Sequence, residues 1–295
     1  MSREREIYKT TLVGSLGNVV LLAFKFVAAI VGHSSAMMAD AVHSLSDFVT
    51  DMVVMIFVRV SAKPHDKSHD YGYGKFETFA AFIVGVVLVF AAVGIVLVAV
   101  GKIVHWASGH HELQVPGMLA LWAALLSIVV KEALFRYTII RGRKLSSQAM
   151  IANAWHHRSD ALSSVAAAIG IGGAILLGKS WVVLDPLASV VVGLMLVKVA
   201  YELVKTSVDE LTESSLPDDM EQEIASIISS FPGVTDPHNL HTRRIGHRIA
   251  IEIHIRMDGS TPLLQAHDCV TAIERKLKER FGQKTHIVIH MEPIK

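Results

Sequence analysis

Cysteine is nearly missing from this chain. Cys269 stands alone among 295 residues, so no intramolecular disulfide can form and no thiolate cluster can be built. Any metal held here must be held mainly by His, Asp and Glu. Charge is scarce as well, with 19% charged residues and a net charge of only +1. That balance does not suit a nucleic-acid partner, and no basic, aromatic-laced patch of the kind such binding needs is present. The H-E-x-x-H motif and the nucleophile elbow are both missing, which removes the usual signatures of two hydrolase classes. No fixed-period repeat and no low-complexity tract interrupts the chain.

What the chain has instead is apolar residues, 52% of the total. The mean hydropathy of +0.44 exceeds what a soluble domain can hide and places the chain in a membrane. The opening MSREREIYKT runs into an apolar stretch with no small-residue cleavage site, so this stretch reads as a first span and not as a removed signal peptide. Runs near the length of a bilayer crossing fall at 10–31, 36–60, 78–100, 115–138, 150–177 and 182–207. The second and fifth are the least apolar, since each carries His and Asp. Basic residues cluster in the N-terminus (Arg3, Arg5, Lys9), after span two (Arg59, Lys63, Lys67, Lys75) and after span four (Arg136, Arg141, Arg143, Lys144). The alternate connections hold only Lys102 and Lys179, so the positive-inside rule predicts both termini in the cytoplasm.

From about Leu211 the composition becomes that of a soluble α/β domain. Pro217-Asp218-Asp219 opens an amphipathic helix that stops near Phe231-Pro232-Gly233. Residues 249–257, IAIEIHIRM, alternate with period two, as do 286–291, HIVIHM, and both read as half-buried strands. A helix at about 262–281 and a further strand around 234–245 complete an α-β-β-α-β order. The predicted fold is therefore an all-α six-helix membrane bundle over 1–210, followed by a small metallochaperone-like or ferredoxin-like cytoplasmic domain over 211–295.

The chemistry concentrates in spans two and five. ADAVHSLSDFVTD places His43 and Asp47 four residues apart on one helix face, and NAWHHRSDALSS does the same for His156 and Asp160. Two such pairs offer two imidazole nitrogens and two carboxylate oxygens around one point, the four-coordinate set that Zn2+ favours. Each ionisable residue at bilayer depth costs about 2.5–3.5 kcal/mol on insertion scales, so four without a purpose are not expected. The bland alternative is interhelical hydrogen bonding or a wet crevice. Helical spacing is read as turning Asp40 and His157 away from this face, while Asp51 shares it, as a relay carboxylate or as a solvated helix end. Lys131 and Glu132 read as a helix-packing ion pair, Lys25 as facing a protein partner, and HWASGHHE at 105–112 as loop decoration or a collector of released metal.

The paired H-x-x-x-D motifs, Y-G-Y-G-K-F-E at 71–77, six spans and the α-β-β-α-β tail together resemble the cation diffusion facilitator family along essentially the whole chain. The resemblance implies a homodimer in a lipid bilayer that exchanges a cytoplasmic divalent cation for protons. His43, Asp47, His156 and Asp160 would form the transport site, a quartet similar to that of the zinc-preferring members. Manganese and iron carriers of the family tend to have more carboxylate or amide there. It further implies a loop site at Asp66 and His69, but Tyr73 stands where a third His belongs. The loop is then a solvated polar segment, or a site completed by His65 or Asp70. Lys75 resembles a lysine that pairs with an acidic residue after span six, here Asp209, in a dimer interlock. In the tail the resemblance implies Zn2+ ligands at His238, His254, His267 and His290, with Glu292 where close relatives carry Asp. Metal bound between two tails would make the domain a sensor.

Two other function classes remain to be weighed. A membrane metalloenzyme would keep an open position on its zinc, whereas two matched pairs fill all four. A membrane-anchored sensor would leave the buried pairs of spans two and five unexplained. The expectation is a transporter and not an enzyme, in a bacterial cytoplasmic membrane.

Overall fold

A backbone in lipid must satisfy its own hydrogen bonds, so apolar runs of this length fold as helices. The computed structural model describes residues 3–61, 63, 65–109, 113–144, 148–246 and 248–294. Its long helices are α1 (Arg3–Val31), α2 (Ser35–Ser61), α3 (Lys75–Ala107), α4 (Met118–Lys144), α5 (Gln148–Leu176) and α6 (Leu184–Leu211). A short 3-10 turn, Lys179–Trp181, leads into α6. Among the described residues, α1, α3, α4, α5 and α6 are long and apolar enough to cross a membrane. The 27 residues of α2 make about 40 Å of helix, enough for a hydrocarbon core of about 30 Å. Several of its side chains, Asp51 among them, lie outside the described residues, as do His110, His111 and Glu112 of the 105–112 stretch, and His247.

The chain divides into two compact units, Met1–Met52 with Val84–Glu202, and Val53–Ile83 with Leu203–Lys295. In the first, small residues let helices approach closely. Ala28, Ala29, Ala36, Ala120, Ala123, Ala124 and Ala167 join Met37, Ile171 and Ala188 in one buried cluster. Gly170 shows how tight this packing is, because a Cβ there would stand 2.2 Å from the Cβ of Ala188 on α6. Large apolar side chains such as Phe90, Leu97, Ile169 and Leu176 point outward, as a lipid-facing surface requires. Asp185 of α6 ties the α2 N-terminus by accepting from Ser34 Oγ at 2.6 Å and Ser35 N at 2.7 Å.

The second unit holds α7 (Asp218–Ser229), β1 (Thr235–Ile245), β2 (Arg248–Met257), α8 (Leu263–Phe281) and β3 (His286–Pro293). The α-β-β-α-β order is as read from the sequence. The strands form a sheet of order β1-β2-β3, antiparallel between β1 and β2 and parallel between β2 and β3. Alternation on β2 sends Ile249, Ile251, Ile253 and Ile255 to one face, where α7 and α8 cover them with Ile224, Ile228, Ile273 and Leu277. Glu252, His254 and Arg256 therefore face the open side. On β1 the register slips twice, between Thr235 and His238 and between His238 and His241, with Asp236 and Asn239 at positive φ.

Candidate metal centres

Two helices build the first candidate. His43 and Asp47 stand one turn apart on α2, and Asp160 reaches them from α5. The three offer ligand atoms that all lie within 4.8 Å of one another, and His43 and Asp160 are buried. Among the described residues, His43 Nδ1 and Asp47 Oδ2 are buried with no hydrogen-bond partner, a condition that proteins rarely tolerate without a functional reason. One imidazole and two carboxylates brought this close in a low-dielectric interior could hold a cation.

His156 is the fourth expected ligand and stands slightly apart. Its Nδ1 is 3.6 Å from Asp160 Oδ1 while its side chain is 54% exposed, and it does not join the three-residue group. His157, as expected, faces elsewhere. It is buried, and its Nε2 lies 3.7 Å from where a Cβ on Gly14 of α1 would be.

Two readings of neighbouring residues need correction. Asp40 is not turned away from α5. It is fully buried and accepts from Ser163 Oγ at 2.7 Å and Ser164 Oγ at 2.8 Å, with Lys25 Nζ at 2.7 Å. Three residues are nearly one full helical turn, so Asp40 shares much of the His43 face. Lys25 thus finds the protein partner expected of it. Lys131 does not pair with Glu132, because adjacent helical residues diverge by about 100°. Its Nζ donates to Asp160 Oδ2 at 2.7 Å, whereas Glu132 pairs with Arg136 at 2.8 Å. No spacing rule within one helix could have revealed this contact between α4 and α5.

The loop pair Asp66 and His69 comes within 4.0 Å, but its hydrogen bonds are already closed. Asp66 accepts from Ser68 Oγ at 2.6 Å and from the Tyr73 hydroxyl at 2.7 Å, so Tyr73 occupies the third position directly. Those hydrogen bonds, Ser68 first and Tyr73 next, hold the Asp66 carboxyl far below the usual carboxylate range. Within the chain Lys75 pairs with Glu213. The chain turns after α6 with Glu213 at φ 65°, which presents Glu213 to Lys75 and to Arg243 at 3.0 Å. Asp209 serves through its backbone carbonyl, which accepts from Ser214 N at 2.9 Å.

The open face of the sheet carries the second candidate. Strand register aligns His238, His254 and His290 in a row across β1, β2 and β3. Ring centroids are 5.4 Å apart for the first pair and 4.7 Å for the second. Glu292, two residues past His290, reaches back to His254 Nδ1 at 3.2 Å and His238 Nε2 at 3.5 Å. His238, His254 and Glu292 form the other group whose ligand atoms lie within 4.8 Å. Partial burial pushes the Glu292 carboxyl up, but the His254 hydrogen bond and the charges of His238 and Arg256 outweigh it and hold the carboxyl below its ordinary value. Arg256 Nε donates to Glu292 Oε2 at 3.4 Å, a contact that period-two alternation from His254 would have allowed but that was not foreseen. His267 is not brought to this group. It is exposed on α8, and α8 packs against the opposite, apolar face of the sheet.

Comparison with known proteins follows these two regions. Residues 11–212 match the cation efflux transmembrane domain, and residues 216–294 match the cytoplasmic domain of cation efflux proteins. The chain is 34% identical to the manganese efflux system protein MneP of Bacillus subtilis, over 99% of this chain and 97% of that one. It is 31% identical to the magnetosome protein MamB of Magnetospira sp., over 94% of this chain and 92% of that one. Among solved structures, the metal-bound C-terminal domain of the CzcD transporter from Thermotoga maritima is 30% identical. It covers 25% of this chain and 87% of that one, with a TM-score of 0.24. Matched in both regions, and 34% identical to a relative along nearly all its length, the chain belongs to the cation efflux family, the cation diffusion facilitators, integral membrane proteins that transport divalent metal ions.

Proposed function

We propose that the protein exports a divalent transition-metal cation from the cytoplasm in exchange for protons, with His43, Asp47, His156 and Asp160 as the transport site. One observation carries the reading: a buried imidazole and two carboxylates from α2 and α5 converge within 4.8 Å, and among the described residues two of their polar atoms have no hydrogen-bond partner. With His156 turned inward the set becomes two nitrogens and two oxygens, which makes Zn2+ the cargo that fits. Imidazole binds metal only when neutral, so protons and metal compete for the same lone pairs, and access from alternate sides couples their movements. The tail beyond 211 acts as a sensor in a homodimer, with metal at His238, His254, His290 and Glu292 favouring the transport-ready form by mass action. Both termini are cytoplasmic in this reading.

A second reading, Mn2+ as cargo, is favoured by a specific observation. The tight group holds two carboxylates to one imidazole, an oxygen-rich set that suits a harder cation, and MneP is named for manganese efflux. Proteoliposomes with an imposed pH gradient test both. Wild type should move Zn2+ with proton counterflow, and Asp47→Ala should move none. Zinc flux equal in the two proteins would end the transport-site reading, and preference for Mn2+ in a panel with Zn2+, Cd2+ and Fe2+ would select the second cargo.

A further inference from the structure

The helical unit holds two buried lysine–aspartate pairs, and they are built differently. Lys25 and Asp40 are locked. Lys25 Nζ donates to Ser44 Oγ at 3.0 Å and Ser164 Oγ at 3.1 Å besides Asp40, and Asp40 accepts from Ser163 and from the same Ser164. Lys131 and Asp160 have no such lock. Their side chains are only 4% and 7% exposed, yet among the described residues Asp160 is the one hydrogen-bond acceptor of Lys131, at 2.7 Å. A fixed structural pair needs its remaining donors satisfied, and among the described residues no second acceptor meets this ammonium group.

Asp160 is also the carboxylate that α5 contributes to the convergence with His43 and Asp47. The Lys131 ammonium and a divalent ion therefore draw on the same group. We propose that Lys131 is a tethered cation that exchanges with the transported metal on Asp160, covering the carboxylate when the metal has left and moving off when a new ion arrives. This rests on the transport-site reading above.

The charge balance gives the exchange a purpose. A carrier resetting without metal would otherwise hold Asp47 and Asp160 in a low-dielectric interior with only the protons carried on the imidazoles as counter-charge. Lys131 offsets one of the two carboxylates. Once a doubly charged ion is bound, the same ammonium would stand against it as a like charge at close range, so the two cannot share Asp160. Metal binding thereby becomes the replacement of one cation by another, and the affinity is held low enough for release. Lys131 is in this sense a positioning residue of the transport cycle, not a ligand.

The test compares full-length wild type, Lys131→Met, Lys131→Arg and Asp47→Ala in nanodiscs, all in a His238→Ala/His254→Ala background that silences the tail. Titration with Zn2+ alone should show Lys131→Met binding about tenfold or more tighter than wild type, with Lys131→Arg restoring the weaker binding. In liposomes, Lys131→Met should lose net flux while metal–metal exchange persists, because only the reset without metal is impaired. A purely structural lysine would depress both together. Affinity in folded Lys131→Met equal to or weaker than wild type would overturn the inference. Asp47→Ala keeps the two readings apart: if it binds like wild type the transport site itself is wrong, and if it loses binding while Lys131→Met matches wild type only the lysine role falls. Should Lys131→Met not fold, reductive methylation of wild type gives the answer by mass spectrometry. Lys131 labelling should rise on saturation with Zn2+, and unchanged labelling would reject the exchange.

Discussion

Replacing Lys25 by Met should be among the most damaging single changes in the helical unit. Lys25 and Asp40 have no exposed surface, and their charged atoms are 2.7 Å apart. Among the described residues, removing the ammonium leaves Asp40 with Ser163 and Ser164 as its hydrogen-bond donors and without its paired counter-charge. Deleting one partner of a buried ion pair costs about 3–5 kcal/mol, mostly the penalty of the charge left behind. Adding Asp40→Asn removes that charge, and the amide oxygen accepts from one serine while its NH2 donates to the hydroxyl oxygen of the other, so the double variant should lie within about 1–2 kcal/mol of wild type. The two substitutions should thus couple by at least about 2 kcal/mol. Unfolding by SDS in mixed micelles, followed by fluorescence of the four tryptophans, measures all corners of the cycle. A Lys25→Met cost below about 1 kcal/mol, or a double variant equal to the sum of the singles, would refute the reasoning.

Other outcomes follow from particular contacts. Gly170→Ala should destabilise the protein by about 1–3 kcal/mol, since its Cβ would overlap Ala188, whereas Gly94→Ala, with nothing within 4 Å, should be close to neutral in the same unfolding assay. His254→Ala should abolish the tail's contribution to Zn2+ binding in calorimetry of the full chain and leave that of an Asp47→Ala-sensitive site in place. Glu292 has its carboxyl held below the ordinary value of 4.5, so it stabilises the folded tail above that pH and loses the effect as pH falls through the lower folded value. With chelator present, wild type should melt above Glu292→Gln near neutrality, and the two melting curves should converge in acid. Tyr73→Phe removes one hydroxyl from Asp66 and should raise the Asp66 pKa, read by NMR titration of its side chain.

The sequence by itself determined everything that depends on neighbours along one element. Apolar length named the long helices, period two assigned the faces of β2 and β3, and a spacing of four put His43 over Asp47 and His156 over Asp160. These follow from the repeat of a single helix or strand, which sequence encodes directly. Only the tertiary structure decided which elements face each other. It set Lys131 on Asp160 instead of Glu132, turned Lys75 to Glu213 past Asp209, and left His267 on the far side of the sheet from His254. It also held His156 half in solvent while the other three candidate ligands converged. The rotation of one helix against the next is chosen by packing, here by alanine and glycine surfaces that carry no charge. A spacing rule within one helix is blind to that choice.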